Sequence, residues 1–131
     1  MQLVSDQLRH QNIVQQFGFS VAPPSITIVM EKCVTDLHTL LHEKNFQQAS
    51  RSTMRSNELS KEQRLYLAHG TASGVAHMHK IGFIHRDIKS NNVLVAETEA
   101  CELVAKLCDF GEVQKNFPRV ISLYCILGVI M

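Results

Sequence analysis

His85-Arg86-Asp87-Ile88-Lys89-Ser90-Asn91-Asn92, with Asp109-Phe110-Gly111 downstream, is the stretch on which the reading of this chain turns. It sets a carboxylate, then a lysine two residues on and an amide five residues on, and later a second carboxylate. Taken singly, Asp87 reads as a helix cap, Lys89 as a solvated charge and Asn92 as a turn residue. The ordered set carries the information, together with its setting. Gly82-Phe83-Ile84 is a short apolar lead-in, and Asn92-Val93-Leu94-Val95 begins a β-branched strand. Glu102 to Cys108 reads as a second strand running into Asp109. Two short strands flanking a turn at Glu97 to Ala100 would bring Asn92 and Asp109 close.

The set H-R-D-x-K-x-x-N followed by D-F-G resembles the catalytic loop and magnesium-binding segment of eukaryotic protein kinases. The resemblance implies an α+β, protein kinase-like fold with ATP and Mg²⁺ as cofactors and a protein as substrate. Phosphoryl transfer asks for positioning and charge neutralisation more than for covalent chemistry. The resemblance assigns the catalytic roles to Asp87, Lys89 and Asn92. Asp87 would orient the substrate hydroxyl and accept its proton. Lys89 would sit beside the transferring phosphoryl group, where fixed positive charge stabilises developing negative charge. Asn92 and Asp109 would offer hard oxygen ligands to Mg²⁺. Arg86 would pair with a phosphorylated activation loop, and His85 and Phe110 would join the hydrophobic stack between the lobes. Lys89 implies serine/threonine rather than tyrosine as acceptor, and Lys89-Ser90-Asn91-Asn92 most resembles tyrosine-kinase-like serine/threonine kinases.

Upstream, Leu3, Val4 and Leu8 have helical spacing, and Asn12-Ile13-Val14 reads as extended. Leu8 to Val14 resembles the kinase turn between helix C and the fourth strand. Pro23-Pro24 breaks the chain before Ser25-Ile26-Thr27-Ile28-Val29-Met30, a β-branched strand. Met30-Glu31-Lys32-Cys33 resembles the hinge, with Met30 at the gatekeeper position and the backbone of Glu31 and Cys33 facing the adenine. Asp36 stands near the start of a short helix through His42. Residues 43–59 read as a long solvated loop. Ser60 with Gln63 gives a capping box for a helix from Lys61 to Lys80. Leu65, Ala68, Ala72, Val75, Ala76 and His79 are expected on its inner side. Gly70 and Gly74 suggest close packing, and Gly82 ends the helix.

The resemblance covers residues 1–111, a partial kinase domain from the end of helix C through Asp109-Phe110-Gly111. Residues 112–131 form an apolar tail outside the family pattern. The glycine-rich loop, the strand lysine and the A-P-E segment are not in this sequence, so the resemblance implies an incomplete copy. The alternative is a non-catalytic, dominant-negative product binding a kinase or scaffold partner. The 131 residues are 45% hydrophobic and 19% charged, with a formal net charge of +1 and no basic run, so no nucleic-acid partner is expected. Val120 to Met131 is too short for a membrane span. The four cysteines lack C-x-x-C pairing, which points to reduced thiols and a cytoplasmic setting. Cys108 would line the nucleotide pocket, either as a reactive thiol or, the favoured reading, as a buried inert one. The seven histidines are scattered, and no metal site is expected from them.

Overall fold

The computed structural model describes residues 7–42 and 59–115. The loop expected over 43–59 lies almost wholly outside them, as do the first helical turn and the apolar tail. The fold is α+β, as expected. Strands β1 (Gln16–Ala22) and β2 (Ser25–Met30) form an antiparallel hairpin around Pro23-Pro24. Next come β3 (Thr35–Asp36), helix α1 (Leu37–His42) and helix α2 (Lys61–Lys80). Then follow β4 (Phe83–Ile84), a 3₁₀ turn (Ser90–Asn92), β5 (Val93–Glu97), β6 (Leu103–Leu107) and β7 (Gln114–Lys115). A three-stranded sheet runs β3-β5-β6, and β4 pairs with β7.

Each boundary has a local cause. Asp36 caps α1, its Oδ1 accepting the Thr39 N–H at 2.9 Å. The capping box closes α2: Ser60 Oγ accepts from the Gln63 N–H at 3.2 Å, and Gln63 Oε1 from the Ser60 N–H at 2.9 Å. At the other end Gly82 takes φ +84°, and its N–H bonds the His79 carbonyl.

The core lies where α2 covers β5 and β6. Leu67, Val75 and Met78 pack there with Val93, Val95, Ala105 and Leu107. The inner face of α2 includes Val75, as expected, but otherwise differs from the expected one. Leu65 is 70% exposed and Ala76 is exposed, while Leu67, Gly70, Thr71, Gly74, Val75 and Met78 are buried. The reason is close approach of backbone. A Cβ on Gly74 would lie 2.6 Å from the Asn12 carbonyl oxygen and 2.9 Å from Leu107 Cδ1, and one on Gly70 would lie 2.7 Å from Asn12 Nδ2. The helix turns its glycines, and not Leu65, toward the sheet.

Strand β1 follows the turn at Leu8 to Val14, where the resemblance implied a strand without assigning its residues. Its register sets Phe19 opposite Ile28 and Val21 opposite Ile26, so these four share one face. All four are exposed, as are Phe17 and Met30.

Candidate active site

The site is built on two turns anchored to one sheet. Pairing of Val93 with Leu107 and the bond from the Cys108 N–H to the Asn92 carbonyl (3.0 Å) place the ends of β5 and β6 side by side. The backbone at Asn92 thus lies next to the residue preceding Asp109, the proximity that two short strands were expected to create. His85 rivets the two turns together. It is 1% exposed, its Nε2 bonds the Cys108 carbonyl at 2.8 Å, and its ring meets Phe110 edge-on at 5.7 Å. The Nε2–H tautomer satisfies this geometry, because Nδ1 accepts the Asp87 N–H at 3.4 Å.

Asp87 Oδ2 accepts from Lys89 Nζ at 2.7 Å and from Asn92 Nδ2 at 2.8 Å. Asn92 Nδ2 also donates to the Asp87 carbonyl at 2.9 Å. Both donations fix the amide, so Oδ1 is the Asn92 atom turned away from Asp87. The Lys89 hydrogen bond, then that of Asn92, holds the Asp87 carboxyl below its usual range. Asp87 and the neighbouring Asp109 charge raise Lys89 in turn. Arg86 and Asp109 both adopt left-handed backbone, at φ 70° and 59°. That conformation costs a non-glycine residue energy, less for Asp than for Arg. Arg86 Nη1 reaches Gln114 Oε1 at 3.1 Å, beside the β4–β7 pair that folds the chain after Gly111 back onto the lead-in to Asp87.

The residues expected to form a hinge make a second group. Glu31 donates its N–H to the Gln15 carbonyl at 2.9 Å. Its carboxylate accepts the Gln15 N–H at 2.7 Å and pairs with Lys106 Nζ at 2.8 Å. Met30 is 40% exposed at the end of β2, and the Val34 N–H bonds the Val95 carbonyl at 2.8 Å. Cys33 is half-buried and its thiol is raised by burial and by Glu31. Burial first, then Asp109, Cys33 and Asp36, push Cys108 up to about 11. Cys108 is half-buried. Sequence reasoning missed the Glu31–Lys106 pair, whose members lie 75 residues apart in the chain.

A family model described as "Protein kinase domain" matches residues 2–120. The chain belongs to the protein kinase family. Relatives include the mitogen-activated protein kinase HOG1 of Exserohilum turcicum, 34% identical over 114 residues, which are 86% of this chain and 30% of that protein. The proteins of the same name from Phaeosphaeria nodorum and Trichoderma harzianum are 33% and 32% identical over 114 residues, each with 86% of this chain and 27% of the relative covered. This kinase-family chain therefore spans less than a third of the length of these relatives. No helix among its described residues is long and apolar enough to cross a membrane.

Proposed function

We propose that this chain supplies the hinge, catalytic loop and metal-binding segment of an ATP- and Mg²⁺-dependent protein serine/threonine kinase. The network of Lys89, Asp87 and Asn92 next to Asp109 carries the reading. Lys89 and Asn92 keep Asp87 ionised, which makes it a weak base at rest. Its first task is therefore to orient a hydroxyl, and it takes the proton as the new oxygen–phosphorus bond forms and the hydroxyl turns acidic. Lys89, half-exposed beside it, offers its charge to the phosphoryl group in transit.

Asn92 Oδ1 and the exposed Asp109 carboxylate fit Mg²⁺, a hard cation that takes few protein ligands and completes its shell with phosphate and water. When bound, the ion neutralises charge on the ATP phosphates. Met30 and the backbone of Glu31 and Cys33 are the proposed adenine contacts. Serine/threonine preference rests on Lys89. The tyrosine-kinase-like subgroup rests on Lys89 to Asn92 alone, and the relatives found carry the mitogen-activated name instead. The free thiols of Cys33, Cys101 and Cys108 favour a cytoplasmic setting.

The test is transfer of the γ-phosphate to a generic basic protein by the protein at its native length. Asp87→Asn is expected to cut kcat by ~10²–10⁴-fold, the usual worth of a positioned acid–base group. Activity equal to the unsubstituted protein would overturn the reading. One observation favours a second reading, in which the chain binds a kinase or scaffold partner without catalysis: the bare apolar face of the β1–β2 hairpin.

A further inference from the structure

The kinase reading leaves a pair of histidines unused. His10 and His77 stack with ring centroids 4.8 Å apart and planes 25° from parallel. His10 Nδ1 accepts the Asn12 N–H at 3.1 Å, so that nitrogen bears no proton. His77 Nε2 is buried and has no hydrogen-bond partner among the described residues. Asn12 is the wedge between helix and sheet. Its Nδ2 donates to the Ala105 carbonyl at 2.9 Å, and its carbonyl accepts the Leu107 N–H at 2.9 Å. Its backbone and side chain fill the notch at Gly70 and Gly74. The stack therefore touches, through one residue, the strand that leads to Asp109.

We propose that His10 and His77 form a pH-sensitive latch that ties the segment ahead of the hinge to helix α2 and strand β6 and opens on acidification. A proton on His10 Nδ1 would turn an acceptor into a donor facing the Asn12 N–H, and that bond would be lost. The new charge would find little compensation. Arg9 comes from its own segment, His77 from α2 and Lys106 from β6, all basic. Glu31, the acid lining the same cleft, is already paired with Lys106 at 2.8 Å.

Burial, then His77 and Lys106, lower the His10 pKa from its ordinary 6.5. A base depressed by the closed state takes up protons more readily once that state opens. The latch is therefore intact above about pH 6.5 and weakens as pH falls below it.

Amide hydrogen exchange on the full chain tests the latch, expressed as protection relative to the intrinsic rate at each pH. Protection at Asn12, Val14 and Leu107 is expected to fall between pH 7.5 and 5.5. The fall should be about tenfold for each pKa unit by which folding depresses His10. Protection at Thr71 and Val75 should hold. His10→Asn keeps a side-chain acceptor for the same N–H without a titrating group, and should flatten the profile. Unchanged pH dependence in His10→Asn would overturn the proposal. If that variant does not fold, the unsubstituted chain still decides: the Asn12 amide and the His10 ring should shift with one midpoint below 6.5. An Asn12 amide that ignores the His10 titration would refute the latch.

Discussion

Asp87 has two donors, and each is a separate handle on its ionisation. Lys89 acts more strongly than Asn92. Lys89→Ala should therefore raise the Asp87 midpoint more than Asn92→Ala does, followed by the NMR shift of its carboxyl carbon. The sign is that of a depressed acid: the interaction is present above about pH 3.8 and is lost as pH falls through the folded value. Equal midpoints in both variants and the parent would contradict the geometry. The thiols make a second contrast. Cys108, pushed up to about 11, should resist iodoacetamide at pH 8, whereas exposed Cys101 should react, with mass mapping as the readout. The grouping of Asp87, Lys89 and Asn92 was legible in sequence because their spacing is local. Asn12 was not, since its partners Ala105 and Leu107 come from a strand far along the chain.

Helix α2 shows which element-level signals survive in sequence. Its ends were written locally, in Ser60, Gln63 and Gly82, and both fell where expected. Removing the cap by Ser60→Ala should cost ~1 kcal/mol in chemical denaturation. Its inner face was misread in part because apolar periodicity weighs large side chains, while this interface also needs two glycines, Gly74 against the Asn12 backbone and Gly70 against the Asn12 side chain. Gly74→Ala should consequently destabilise the fold. Alanine favours helix by ~1 kcal/mol, but a Cβ 2.6 Å from a backbone oxygen forces the Asn12 segment or the helix aside. Overpacking of this kind costs ~1–3 kcal/mol. An unchanged or raised denaturation midpoint would mean the notch yields. Strand β1 was implied only by the turn before it and was given no residues, although Phe17, Phe19 and Val21 alternate with Gly18, Ser20 and Ala22.

Across the whole molecule, burial is uneven. The sheet and α2 enclose a core, while the β1–β2 hairpin leaves Phe19, Val21, Ile26 and Ile28 in water on one face. Such a patch binds hydrophobic dyes. The chain should enhance anilinonaphthalene sulfonate fluorescence at neutral pH, and Phe19→Ser with Ile28→Thr should remove most of the signal without moving the far-ultraviolet spectrum. Dye binding that persists in this double variant would place the patch elsewhere. From Gln11 through Met30 the sequence carries no charged residue. Chaperones and proteases triage exposed apolar chain of this sort. The cellular lifetime of the polypeptide is then governed by what covers the hairpin, and its abundance becomes a measure of how well that cover is supplied.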